Sequence, residues 1–200
     1  MLNHKLVIIE GTSTSGKTTL MQLLTDHFNS SGYSSLGFDE AQTLTPEIFS
    51  NPNSVKSLEF IRSFLDKKCS SDDTIIVCDR FHLSNLAISN GSIEDLNSIE
   101  PTMKQYDPLL VFLRIPDESI RNRLLDAKVH RRKEWNEELY KRGKTEDETI
   151  AWFKGTQHKL YNLFLKSTLA KVEFNVEDMS YVEIASELAK KIIQISSRTA

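Results

Sequence analysis

Short apolar runs alternate along this chain with longer stretches in which apolar residues return every three or four positions. Lys5 to Glu10 reads KLVIIE and stops at a glycine, the pattern of a strand buried on both faces. From Lys17 to about Asn29, Leu20, Leu23, Leu24 and Phe28 fall at helical spacing. Ser34 to Phe38 predicts a short second strand. Asn53 is a natural cap for a helix whose apolar positions are Val55, Leu58, Ile61, Phe64 and Leu65. Thr74 to Cys78 (TIIVC) predicts a buried strand ending at Asp79, and Leu109 to Leu113 (LLVFL) another after the turn-like Asp107-Pro108. Asp117 to about Ala127 predicts a helix with two acids in its first turn, where the helix dipole favours them. Lys171 to Asn175 predicts the last strand. Tyr181 to Ile195 predicts a closing helix with Val182, Ala185, Leu188, Ala189 and Ile192 on one face.

Apolar strands alternating with amphipathic helices predict an α/β fold with a mostly parallel sheet. Ligands of such sheets bind outside the carboxyl ends of the strands. Glu10, Asp39, Glu40, Asp79 and Arg114 stand at those predicted ends. Composition narrows the classes further. A chain of 200 residues with 39% apolar content suits one domain over 1–200. A net charge of -3 gives no overall basic field for nucleic acid. No apolar run approaches a membrane span, and no basic-then-apolar leader opens the chain. A cytoplasmic protein without a membrane partner is expected, with Cys69 and Cys78 as reduced thiols, because their spacing fits neither a zinc site nor a disulfide framework.

Gly11-Thr12-Ser13-Thr14-Ser15-Gly16-Lys17-Thr18 fits G-x-x-x-x-G-K-[ST] at every fixed position, between a predicted strand and a predicted helix. Glycines let the loop amides turn inward around a phosphate, and the following helix points its positive end at the same anion. Gly11, Thr12, Ser13, Thr14, Ser15, Gly16, Lys17, Thr18 and Thr19 are therefore the expected ATP-binding set. Lys17 would reach the β- and γ-phosphates, and Thr18 would ligate Mg²⁺. The predicted class is a three-layer α/β/α P-loop NTPase fold. The chain has no N-K-x-D base-reading motif of a GTPase. The strand before Asp79 is apolar and ends in an acid, so Asp79 is a second Mg²⁺ candidate. Arg80 adjoins it as a fork of donors for phosphate or acceptor; a structural salt bridge is the alternative.

At these residues the chain resembles the thymidylate kinase and deoxynucleoside kinase group. The resemblance rests on VIIEG with GKTT, on CDRF, and on LLVFLRIPDESIRNRL. Asp79-Arg80-Phe81 is similar to the Asp-Arg-aromatic triplet of thymidylate kinases. KRGKTEDETIAWFKGTQHKLYNLFL resembles a deoxynucleoside kinase lid and the helix after it. The likeness implies a five-stranded parallel sheet with helices on both faces, a helical lid at about 128–148, and dimers in many relatives. It also makes Glu40 look like the deoxynucleoside kinase base, which would take a proton from an acceptor hydroxyl; a solvated loop acid is the plain alternative. A monophosphate acceptor would instead need cations. The mixed-charge run from Lys128 to Lys144 is either a solvated helix face or an arginine-bearing lid. Arg142, within KRGK, is the favoured lid arginine; Arg131 and Arg132 compete, and Arg121 and Arg123 could join. Phe49, Phe60, Phe64, Phe81 and Tyr106 are candidates to stack on an acceptor base, though most are expected in the core. His82 and His158 show no partner pattern, and Trp135 and Trp152 are expected to pack.

The expectation is an ATP- and Mg²⁺-dependent nucleoside or nucleoside-monophosphate kinase, with Lys17, Arg80, Glu40 and Arg142 as catalytic candidates. A kinase for another small acceptor, a nucleotide-binding module without transfer, and a nucleic-acid end kinase remain alternatives.

Overall fold

A computed structural model describes residues 4–70, 73–131, 137, 139, 142–143 and 145–194. Five strands form one all-parallel sheet: β1 (Leu6–Glu10), β2 (Ser34–Phe38), β3 (Thr74–Asp79), β4 (Pro108–Arg114) and β5 (Ala170–Asn175), in the order β2-β3-β1-β4-β5. β1 lies at the centre, pairing Ile9 with Asp79 on one side and with Val111 on the other. Its carboxyl end therefore opens beside that of β3. Among the described residues the helices are α1 (Lys17–Ser30), α2 (Glu40–Thr43), α3 (Ser54–Lys68), α4 (His82–Ile88), α5 (Ile93–Met103), α6 (Ile120–His130), α7 (Glu146–Lys166) and α8 (Tyr181–Gln194). None is long and apolar enough to cross a membrane.

The period of two along each strand explains why both sheet faces are covered. Val7, Ile9, Val77, Val111 and Leu113 point into a core shared with α1, α6 and α8. Leu6, Ile8, Ile76, Cys78, Leu110 and Phe112 point the other way, onto α3, α4, α5 and α7. Every residue of β1 is buried, so neither face could accept a polar side chain without a partner. Cys69 and Cys78 are free and buried. Burial pushes the Cys69 thiol up to about 12 and raises Cys78 as well, which disfavours their thiolate forms.

Several expectations need correction. The helix expected at Asp117 begins at Ile120, with no acid in its first turn. Asp117 instead lies in the preceding turn, accepting from Gln157 Nε2 at 3.3 Å and meeting His158 Nε2 at 2.9 Å, so α7 holds its carboxylate. Val182 is 65% exposed. The buried stripe of α8 starts two residues later, at Ile184, and continues through Ala185, Leu188, Ala189 and Ile192. α4 and α5 match no element expected from the sequence. α4 buries Ser84 and Asn85 together with Leu83 and Leu86, which erases the amphipathic pattern. α5 carries a Ser92–Asp95 capping box but has Pro101 inside it, a residue usually read as a helix end. Asn53 does cap α3, accepting from the Lys56 amide at 3.1 Å.

Candidate active site

The loop from Gly11 to Gly16 leaves the centre of the sheet and enters α1 without a side-chain cap. Gly11 (φ 148°) and Gly16 (φ 86°) adopt conformations that L side chains rarely reach. A Cβ on Gly11 would stand 2.6 Å from the Leu113 carbonyl oxygen. Thr12 Oγ1, Thr14 Oγ1 and Ser15 Oγ are buried with no hydrogen-bond partner among the described residues. Buried donors without partners are costly, and an anion cradled by the loop would satisfy them. Lys17 is only 6% exposed, and its Nζ donates to Thr12 O at 2.9 Å. Burial, reinforced by the nearby Arg80 charge, lowers its pKa to about 8.

Asp79 ends β3 beside Ile9 of β1 and meets the first turn of α1. Thr18 Oγ1 donates to Asp79 Oδ2, while Asp79 Oδ1 is buried with no partner. A hydroxyl beside an unsatisfied carboxylate oxygen suits a hard cation that completes its shell with water and phosphate. Among the described residues no cluster of three or more His, Cys, Asp or Glu could hold a metal by itself. Glu10, also a strand-end acid, has a different task. It is fully buried and accepts from the Phe81 amide (2.9 Å), the Ser84 amide (3.1 Å) and Ser84 Oγ (2.5 Å). That carboxylate anchors the start of α4 and fixes the turn that carries Arg80.

Arg80 links the loop to the other side of the cleft. Its backbone is left-handed (φ 64°), a conformation costing a non-glycine residue about 1 kcal/mol or more. Its guanidinium compensates through four contacts: Glu40 Oε2 at 3.0 Å, Gly11 O at 3.2 Å, Ser84 Oγ at 3.3 Å and Ser13 Oγ at 3.4 Å. Burial acts to raise the Glu40 pKa, but the charges of Arg80 and Lys17 outweigh it and hold Glu40 below the ordinary carboxylate value. Glu40 is thus ionised at neutral pH, with its side chain about half exposed (49%). Asp39 does not join it. Asp39 caps α2, accepting from the Gln42 amide at 3.2 Å. α2 is tied down by Thr43 Oγ1 to Asp79 O (2.8 Å) and by Asn85 Nδ2 to Thr43 O (2.9 Å).

Beyond this network opens a cavity of about 870 Å³, within the range of sites for drug-sized ligands. Thr12, Ser13, Glu40 and Arg80 line one end. Phe49, Trp152 and Phe153 form apolar wall, and Arg131, Arg142 and Lys159 bring positive charge. Arg142 is sandwiched, its guanidinium 5.5 Å from the Phe49 ring centre and 4.9 Å from that of Trp152. Lys159 reaches Ala87 O and Asn90 Oδ1.

The structure therefore brings Lys17, Thr18, Asp79, Arg80 and Glu40 to one end of the sheet, and Arg131 and Arg142 also line the cavity. Arg121 is elsewhere, paired with Glu146 and Asp147 at the start of α7. Arg114 lies against Tyr161 and Glu173. Phe60, Phe64, Phe81 and Tyr106 belong to the core under α3 and α5, and only Phe49 of the five stacking candidates lines the cavity. Trp152, expected to pack, lines it too. Its helical surroundings gave no sign of that, although KRGK placed Arg142 close by. Ser84, Asn85 and Glu10 were missed as supports because their partners are more than 40 positions away or in a helix the pattern did not reveal. Arg132, Lys133, Trp135, Lys141 and Lys144 of the expected lid lie outside the described residues.

A five-stranded parallel sheet in this order, with a glycine loop wrapped at the carboxyl end of its central strand, is the fold of the P-loop kinases. Comparison with solved structures agrees. The YorR protein from Bacillus subtilis, solved in complex with phosphorylated GDP, matches 98% of this chain and 99% of its own at 19% identity, TM-score 0.65. A shikimate kinase from Acinetobacter baumannii, solved with shikimate, matches 98% of this chain and 96% of its own at 16% identity, TM-score 0.51. No family model and no curated protein matches the sequence.

Proposed function

We propose that this chain is an ATP- and Mg²⁺-dependent kinase that transfers the γ-phosphate to a hydroxyl of a nucleoside. The observation that carries the reading is Glu40: an ionised carboxylate at the phosphate-loop end of the cavity, held by Arg80 at 3.0 Å. As the acceptor oxygen bonds to the γ-phosphorus, the bond from that phosphorus to the β–γ bridging oxygen breaks and ADP departs. Glu40 accepts the proton released by the hydroxyl. Lys17 and the loop amides neutralise charge on the transferring group, and Arg80 couples Glu40 to the loop through Gly11 and Ser13. Thr18 and Asp79 would hold Mg²⁺, which when bound offsets charge on the β- and γ-phosphates. Arg142 and Arg131 are the candidates for closing on the phosphoryl group; Arg142 would have to leave its aromatic sandwich to do so.

A nucleoside monophosphate is the second acceptor reading. The cations Arg131, Arg142 and Lys159 on the cavity wall favour it; the negative Glu40 beside the loop opposes it. The test is ADP release from Mg-ATP over a panel of nucleosides, their 5′-monophosphates and hydroxyl acceptors such as shikimate. The proposal expects the highest kcat/KM with a nucleoside. Release only with monophosphates would replace the hydroxyl reading, and release with none of the panel would reject the nucleoside assignment.

A further inference from the structure

The outer face of the phosphate loop is gripped by two residues that take no place in the cavity. Thr14 has a left-handed backbone (φ 69°), a conformation in which a β-branched residue is strained. Its carbonyl accepts from Arg123 Nη1 at 3.3 Å. The next carbonyl, of Ser15, accepts from the Tyr181 hydroxyl at 3.1 Å. Arg123 also donates to that hydroxyl (3.2 Å) and to Val176 O (3.2 Å), so three segments lock onto one another: α6, the chain after β5, and α8. The Tyr181 ring then lies against Gly16, where a Cβ would come within 2.1 Å of Cζ. The two carbonyls so engaged are successive and point outward.

We infer that Arg123 and Tyr181 are positioning residues that hold the phosphate loop in its anion-ready shape by anchoring the carbonyls of Thr14 and Ser15. The inference rests on the reading that the loop binds a polyphosphate. Its physical content is that peptide units have two ends. Fixing a carbonyl on the outside turns the amide of the following residue the other way: that of Ser15 meets Thr12 O at 3.4 Å within the loop, and that of Gly16 follows it. An ordinary loop glycine would take the Thr14 conformation freely; threonine needs the anchor.

The test is equilibrium titration with two probes, Mg-ATP and Mg-tripolyphosphate, on wild type, Arg123→Gln and Tyr181→Phe, the latter keeping the ring and losing only the hydroxyl. Arg123→Gln is expected to weaken both probes by the same factor, about tenfold, and Tyr181→Phe by about threefold, the range of one or two lost hydrogen bonds. In a Thr14→Gly background the Arg123→Gln factor is expected to shrink to about twofold, because glycine relieves the strain that the anchor offsets. A loss confined to Mg-ATP would overturn the inference by placing both residues on the nucleoside end of the ligand. No loss in either variant, or an unchanged factor in the Thr14→Gly background, would also overturn it. Wild type that binds neither probe would reject the polyphosphate reading itself, and this inference with it.

Discussion

On the phosphate side of the cleft, Lys17, Asp79 and Ser15 are each less than a tenth exposed, and one run of consecutive residues supplies almost the whole frame. On the acceptor side, Glu40 is half exposed and Trp152 and Phe49 are 39% and 55% exposed, each from a different element. The first region is pre-organised by covalent neighbours and by the packing of α1 on the central strand. The second is assembled from segments far apart in sequence, and its cations are held by rings and carbonyls that a ligand could displace. If the proposed kinase reading holds, the contrast teaches where chemistry is fixed and where specificity can vary: transfer would belong to the centre of the sheet, and acceptor choice to its rim.

The sharpest way to break the comparison is Lys17→Ala. Turnover is expected to fall by about 10³-fold, the upper range for losing one transition-state donor. Thermal stability at pH 7 is expected to hold or rise, because Lys17 is charged below about 8 at the expense of burial. Steady-state kinetics with a melting curve on the same preparation check both halves. Glu40→Gln comes next. A loss of about 10²-fold in kcat for nucleosides is expected, the lower range for removing a general base, with Mg-ATP affinity unchanged by calorimetry. Unchanged kcat with a monophosphate acceptor would mark the phosphate reading.

The two sides should also separate by pH. A bound polyphosphate stabilises the Lys17 ammonium, so ATP affinity is flat below about pH 8 and weakens as pH rises through that value, by up to about tenfold per unit. The Glu40 pKa is depressed, so its base function is present above the ordinary carboxylate range and is lost only as pH falls below it. A KM(ATP) profile and a kcat profile over the same buffers read the two limbs independently. The smallest effect is expected at the rim. Trp152→Ala should raise the acceptor KM about threefold to tenfold, the worth of one aromatic contact, while leaving KM(ATP) unmoved.

The same contrast governs what could be read from residues alone. The loop, Thr18 and Asp79 could be singled out because each lies at a strand end or in a contiguous motif, and β1, β3 and β4 follow from apolar runs, whereas SSLGF and AKVEFN are more polar. Glu40 stood among the strand-end residues, but its role as a base and the preference for Arg142 came only from likeness to known kinases. The helices α4 and α5 escaped because one buries polar Ser84 and Asn85 and the other contains Pro101. Arg123 and Tyr181 carry no local mark of their contact with the loop, since Tyr181 is 166 positions from Ser15. The expected burial of Val182 failed at a helix start, where a shift of two residues turns a side chain from core to solvent.

The most direct test of the account is a crystal structure of the protein with Mg²⁺ and a non-hydrolysable ATP analogue. The account predicts the β- and γ-phosphates inside the 11–18 loop, Lys17 Nζ moved from Thr12 O onto a phosphate oxygen, and the metal beside Thr18 and Asp79. An analogue bound elsewhere, with Lys17 still on Thr12 O and nothing within the loop, would contradict it.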